Sequence, residues 1–243
     1  MKTVVIIQAR MGSTRLPGKV MKKLFGKTIL QHVTDRISSI GDINEIVIAT
    51  TESSLDDIIV DEAKAIGINV FRGSENDVLD RYYRAALTCK AETIIRITSD
   101  CPLIDSNIVS SMISQFNNKD YDYVSNTINR TFPRGLDAEI FSIQALEEAF
   151  LNASSPSFRE HVTPYIYNNK TEFKIYDYLN DIDYSKYRWT LDTVEDWKLI
   201  ESIYCYLYES KQIYDWKNII SLMECKPELH KINCHIEQKK VMN

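Results

Sequence analysis

The sequence predicts an α/β fold built on a mostly parallel, doubly wound sheet. Two observations carry that prediction. Strand-like apolar runs alternate with segments of helical periodicity from Val4 to Thr98, which is the rhythm of β-α-β units feeding a parallel sheet. Capping and turn residues also fall at the ends of those segments, so local signals and fold class agree. No internal repeat, low-complexity tract or linker divides the chain. It reads as a single domain over residues 1–243, with a small, less regular inserted region at about 120–190 serving substrate or dimer contacts.

The elements follow in order. Strands are expected at Val4–Gln8, Glu45–Thr50, Asn69–Phe71 and Thr93–Thr98, with helices between them at about Thr28–Ser39, Ser54–Ile66 and Asn76–Thr88. Ser53 or Ser54 suits the N-cap of the second helix, Asp56 and Asp57 suit its first turn, and Gly67 stands where the left-handed residue after a helix belongs. Beyond Asp105 a helix at about Ser106–Phe116 precedes an irregular stretch with strands at Tyr121–Ser125 and Ala138–Phe141. Helices near Ile143–Leu151 and Arg159–Tyr167 follow, then strands in "EFKIYDYL" and "YRWTLD", then a long amphipathic helix from Val194 to Tyr208.

Composition excludes several functions. With 44% apolar and 26% charged residues the chain can bury a proper core. A net charge of −5 argues against nucleic acid as a partner, since that affinity needs a surplus of Lys and Arg. No window approaches the roughly 20 apolar residues of a membrane span, and the opening "MKTVVIIQA" has too short an apolar run for a signal peptide. A cytoplasmic protein is expected. Its five scattered cysteines lack C-x-x-C spacing and read as reduced, mostly buried thiols.

The chemistry concentrates in "VVIIQARMGSTRLPGKV", Val4 to Val20. A core strand runs into a loop holding Arg10, Arg15 and Lys19, with Gly12 and Gly18 allowing close backbone approach. Three cations this close repel unless an anion sits among them, so a polyphosphate suits the loop; a solvated turn is the alternative. The pattern is neither a P-loop nor a dinucleotide fingerprint.

Asp100 emerges just past the strand end in "IIRITSDCPLID", and Pro102 stops further regular structure. A carboxylate at that edge suits Mg²⁺, which prefers oxygen ligands. Asp192 in "RWTLDTVEDW" admits two readings, a second metal ligand or a helix N-cap followed by an acidic first turn. In "FPRGLDAEIF", Arg134, Asp137 and Glu139 suit an acceptor, because an arginine before a glycine turn can meet a carboxylate or phosphate. His161 in "SFREHVTPYI" is either structural or a substrate contact, and His230 and His235 belong to a polar tail. The D-x-D pairs Asp120–Asp122 and Asp181–Asp183 raise the alternative of a GT-A glycosyltransferase, but neither accounts for the basic loop.

Together "QARMGSTRLPGK", "ITSDCPLID", "FPRGLD", "REHVTPYI" and "RWTLDTVEDW" closely resemble the cytidylyltransferase family that includes the KDO and acylneuraminate enzymes. Within it the nearest likeness is to the spore coat polysaccharide biosynthesis F proteins. The resemblance spans nearly the whole chain, with the motifs in the right order. It implies a Rossmann-like nucleotidyltransferase fold, CTP as donor, Mg²⁺ and frequently a homodimer. It places Arg10, Ser13, Arg15 and Lys19 around the triphosphate, backbone of Ala9 and Met11 against the nucleotide, and Arg72, Asp77 and Arg81 near nucleotide and acceptor. It makes Asp100 and Asp192 the metal pair. Thr98 and Ser99 replace the Gln-Gly of the KDO enzymes, whose Gln contacts the sugar acid in that family, so the resemblance does not carry KDO over as the substrate.

The expected activity is therefore transfer of CMP from CTP to a sugar acid or a related polyol or phosphate acceptor. A nucleotide-binding protein without turnover is the remaining alternative. The apolar face of the helix from Val194, with Trp197, Ile200, Ile203, Tyr204 and Leu207, and the tail after Pro227 offer surplus surface that predicts a homodimer.

Overall fold

A computed structural model describes residues 1–210 and 215–238 of the chain. Its main sheet has seven strands: β1 (Thr3–Gln8), β4 (Glu45–Thr51), β5 (Asn69–Gly73), β6 (Thr93–Thr98), β7 (Tyr123–Ser125), β8 (Glu139–Ser142) and β9 (Ile175–Asp177). They lie in the order β5-β4-β1-β6-β8-β7-β9, while β2 (Lys23–Leu24) and β3 (Lys27–Thr28) form a small separate hairpin. All neighbours in the main sheet are parallel except those of β8, which runs against both β6 and β7.

Strand alternation explains the two-sided core. Val5 and Ile7 of β1 pack with α1 (Ile29–Ile37), α2 (Asp57–Ala65) and α4 (Ser106–Asn118) on one face, and Val4 and Ile6 pack with α3 (Val78–Thr88) and α5 (Ile143–Asn152) on the other. The chain winds from β1 outward to β5, then returns to lay β6 on the opposite side of β1. That switch opens a crevice beyond the carboxyl ends of β1 and β6, whose last residues Gln8 and Thr98 lie in register. Both chemical motifs leave the sheet there.

Most predicted elements stand within a few residues of their expected bounds, and the departures have physical causes. The helix expected at Arg159–Tyr167 is two short ones, α6 (Pro156–His161) and α7 (Pro164–Asn168), because Val162 turns to φ 72° and Pro164 starts the second. "YRWTLD" is not a strand of the sheet. It lies extended against the loop at 134 through Arg134 N–H to Tyr187 O (3.0 Å) and Trp189 N–H to Arg134 O (2.6 Å). Gly135, at φ 103°, permits this approach: a Cβ there would stand 2.5 Å from the Trp189 carbonyl carbon.

The helix from Val194 is α8 (Val194–Ser210), and its apolar face is not surplus. Ile200, Ile203, Tyr204 and Leu207 are buried within the chain and Trp197 is half-buried, in one core cluster with residues of α9 (Trp216–Cys225) and α10 (Pro227–Lys231). The apolar-surface argument for a dimer therefore fails. Asp215 closes a capping box at the start of α9, a local signal that the sequence reading passed over. Of the cysteines, Cys89 and Cys101 are buried, but Cys205, Cys225 and Cys234 are exposed, because the latter three sit on the outer faces of the terminal helical layer. The polar tail beyond residue 238 lies outside the described residues.

Candidate active site

The loop after β1 is folded around one peptide. The Met11 carbonyl accepts from Ser13 N–H (2.8 Å) and Gly18 N–H (3.4 Å), and the buried Leu16 and Val20 pin the loop to the core. Gly18 takes φ 64° to start the short turn at Lys19–Met21. This folding aims Arg15 and Lys19 back across the crevice.

On the far side, main-chain bonds bring two distant segments together. Leu191 N–H donates to Asp100 O at 2.8 Å and Thr190 Oγ1 to the same oxygen at 3.3 Å. Lys19 Nζ then bridges the two carboxylates, 2.9 Å from Asp100 Oδ2 and 2.7 Å from Asp192 Oδ1, while Arg15 Nη2 stands 3.0 Å from Asp192 Oδ2. The Lys19 side chain is only 12% exposed. Burial opposes its charge, yet Asp100 and Asp192 together hold its pKa above the ordinary lysine value. Burial likewise opposes ionisation of Asp100, but Lys19 and the Thr98 hydroxyl, 2.6 Å from Oδ1, keep that carboxyl below its ordinary value.

These groups line one cleft of about 300 Å³, together with Gln8, Arg10, Gly12, Ser13, Thr14 and Ser99. Arg10 faces Glu75 at 3.6 Å, and Ala9 continues the β1 ladder through its N–H to Ala49 O. A larger, shallower depression of about 880 Å³ lies elsewhere, beside Arg72, Ser74, Asp80 and Arg84. Its carboxylates Glu52, Glu75 and Asp80 share no bridging cation among the described residues, whereas Lys19 joins Asp100 and Asp192 across the smaller cleft.

The predicted residues divide accordingly. Ser13, Arg15, Lys19, Thr98, Asp100 and Asp192 are brought together. Thr193, not Asp192, caps α8, its hydroxyl accepting from Asp196 N–H at 3.2 Å, so the Asp192 carboxylate faces the cleft, its Oδ2 also accepting from Arg188 Nη2 at 2.9 Å. Arg72 is not in the cleft: it ties down the turn after β4 through Thr51 O, Ser53 O and Asp57. Asp77 caps α3 and pairs with Arg159. Glu139 is buried in a network with Arg96, Tyr123 and Thr163 and does not line the cleft. His161 ends α6, where burial lowers its pKa, and does not line the cleft.

Near the cleft, Asp137 takes a two-pronged bond from Arg130 (2.6 and 2.8 Å) and Gly135 N–H. Arg134 beside it has no hydrogen-bond or ion-pair partner for its guanidinium among the described residues; burial and the charges of Arg130 and Arg188 lower its pKa. Three of the four D-x-D aspartates are occupied elsewhere, Asp120 and Asp122 by Lys174 and Asp183 by Ser185 N–H.

Asp196 is a functional residue that the sequence motifs do not single out. It is fully buried and accepts from Arg188, from the Asp192 and Thr193 N–H groups (2.9 and 3.0 Å) and from Asn233 Nδ2. It thus fixes the backbone that carries Asp192. Its one local signal is the Thr193-x-x-Asp196 spacing of a capping box; its bonds to Arg188 and Asn233 come from segments that only the fold brings near.

Comparison with known proteins bears on the same architecture. The chain matches the family described as cytidylyltransferase over residues 4–241. It is 35% identical to the spore coat polysaccharide biosynthesis protein SpsF of Bacillus subtilis over 209 residues, covering 82% of this chain and 85% of that one. A solved cytidylyltransferase structure from Leptospira borgpetersenii aligns with a TM-score of 0.90 at 38% identity, covering 98% of this chain and all of that one (100%). The structure of CMP:2-keto-3-deoxy-manno-octonic acid synthetase complexed with CTP shares the fold at 17% identity, with a TM-score of 0.64 over 85% of this chain and 99% of that one. A match running from the first strand almost to the C-terminus, over a chain whose basic loop and acidic pair meet in one crevice, means that this protein belongs to the cytidylyltransferase family.

Proposed function

We propose that the protein transfers CMP from CTP to a sugar acid or a related polyol or phosphorylated acceptor, releasing pyrophosphate, in the biosynthesis of a surface polysaccharide or glycoconjugate. The single observation that carries this reading is the meeting of Lys19 with Asp100 and Asp192 at the sheet's switch point. A basic loop and a carboxylate pair on opposite walls of one cleft are what a triphosphate and its counter-ion require.

The residues fit Mg²⁺. Asp100 and Asp192 already converge on one cation, the Lys19 ammonium, through one oxygen each. Among the described residues no cluster of three or more His, Cys, Asp or Glu side chains is built for a metal, which suits an ion that keeps waters and takes substrate oxygens alongside one or two carboxylates. Asp100 and Asp192 would hold it, and when bound it supplies neutralising charge at the reacting phosphate.

The chain's own groups do the rest. Lys19 and Arg15 exchange their carboxylates for the phosphates, Arg10 and Ser13 flank them, and charge-assisted bonds steady the pyrophosphate as the acceptor oxygen displaces it in line. Thr98 orients Asp100. Arg134, whose guanidinium makes no hydrogen bond or ion pair among the described residues and feels Asp137 only at a distance, is the group available for an anionic part of the acceptor. The protein acts in the cytoplasm as a homodimer on this reading, the latter resting on the family resemblance.

A pyrophosphate-release screen of the common nucleoside triphosphates against sugar acids and phosphorylated polyols tests it. Release with CTP and an anionic acceptor is expected. When nucleoside-diphosphate sugars are offered in the same screen, release of free nucleoside diphosphate from them points to glycosyl transfer instead, and CTP binding without product under any acceptor points to a binding protein.

A further inference from the structure

Asp56 lies behind the cleft, lining neither wall, and it is 2% exposed. It precedes α2 but makes no side-chain cap bond to that helix. Its two oxygens instead join two loops. Oδ1 accepts from Met11 N–H at 2.7 Å, and Oδ2 accepts from Thr50 Oγ1 (3.1 Å), Thr51 N–H (3.2 Å) and Thr51 Oγ1 (2.5 Å). Every partner is a neutral donor. The buried Arg81 charge is close enough to interact with this carboxylate but donates to Ser74 O, so the bonds that fix Asp56 come from neutral groups alone, an arrangement worth keeping where it fixes geometry.

The Met11 peptide is the hub of the basic loop, since its carbonyl takes the N–H groups of Ser13 and Gly18. Arg10 and Gly12 flank it directly. One carboxylate oxygen thus holds the hub, and the other holds the end of β4, an interior strand of the main sheet.

We propose that Asp56 is a positioning residue for the nucleotide, transferring the rigidity of β4 to the loop that carries Arg10, Ser13, Arg15 and Lys19. The inference rests on the reading of that loop as the triphosphate site. Without Asp56 the loop keeps all its charges but must be ordered at the moment of binding, and affinity for CTP falls by that ordering cost.

The test compares Asp56→Asn with wild type and with Thr50→Val, which removes a partner from the β4 side alone. The amide of Asp56→Asn cannot accept on both sides, so the loop is released. Calorimetric affinity for CTP should weaken by about tenfold or more, with KM for CTP rising and kcat at saturating CTP within about threefold of wild type. Trypsin should cut faster after Arg10, Arg15 or Lys19 in the free variant, and CTP should suppress that cleavage. Thr50→Val should lower the melting temperature while leaving CTP affinity within about twofold.

A purely structural Asp56 would lower the melting temperature of both variants and move neither affinity nor cleavage, and that result overturns the inference. If Asp56→Asn does not fold, hydrogen exchange of the wild-type Met11 amide decides: protection supports the anchor, and exchange at the rate of an open loop removes it. Wild-type protein that fails to bind CTP removes the reading of the loop and this inference with it. Wild-type protein that binds, beside an Asp56→Asn variant that binds equally well, removes the inference alone.

Discussion

Leu191 N–H donates to the carbonyl oxygen of Asp100 at 2.8 Å, and this one bond sets Asp192 beside a carboxylate from a distant strand end. If the pair holds Mg²⁺, Asp100→Asn and Asp192→Asn should each abolish most turnover while leaving the fold intact. The double variant should be little worse than either single one, because a site missing one ligand has little left to lose. Turnover titrated against Mg²⁺ for all three variants reads this out. An active Asp192→Asn enzyme with unchanged Mg²⁺ dependence would leave Asp100 alone with the metal.

Lys19→Ala and Arg15→Ala should each weaken CTP binding. Loss of one charge-assisted contact costs about 1.5–3 kcal/mol, or roughly ten- to more than hundredfold in affinity. Lys19→Ala should do something further: with the ammonium gone from between Asp100 and Asp192, Mg²⁺ added without nucleotide should raise the variant's melting temperature more than wild type's. Scanning calorimetry with and without Mg²⁺ checks this, and equal shifts in the two proteins would contradict it.

Asp196→Ala should be severe in two ways. It strips Arg188 of a buried partner and frees the Asp192 and Thr193 amides, so stability should fall by about 3–5 kcal/mol, the usual cost of breaking a buried charge pair. At temperatures where the variant remains folded, Mg²⁺-dependent turnover should also drop. Denaturant titration and turnover measured on the same preparation separate the two effects; full activity in the folded variant would show that Asp192 holds its place unaided.

Acid should unfold the protein partly through Asp137. Burial alone would raise this carboxyl's pKa, but the Arg130 pair brings it below the ordinary carboxylate value. A depressed folded-state pKa means that the unfolded chain binds the proton first as pH falls. The stabilisation is complete above the unfolded value of about 3.9 and is lost as pH drops through the folded one. Denaturant midpoints taken from pH 6 to pH 2.5 should fall along an acid limb in wild type, and Asp137→Asn should shallow that limb. An unchanged limb in the variant would assign it to other carboxylates.

Much of this molecule is legible in its sequence. The strands at Thr3–Gln8 and Thr93–Thr98 and the helix at Ile29–Ile37 follow from side-chain periodicity and local caps, because backbone conformation answers mainly to near neighbours. The basic loop and Asp100 were legible for a related reason, since polar chemistry at the end of a core strand must emerge at the sheet edge. The tertiary structure alone decided which charges serve the cleft. Arg72, Asp77 and Glu139 carry the right chemistry, but their partners, Ser53 O, Arg159 and Arg96, come from other segments and hold them in the framework. Asp56 and Asp196 show the converse: in the sequence they are ordinary first-turn carboxylates, and only the approach of Met11 and of Arg188 with Asn233 makes them anchors. A side chain's periodicity is set along the chain, whereas the partner that uses its charge is set through space.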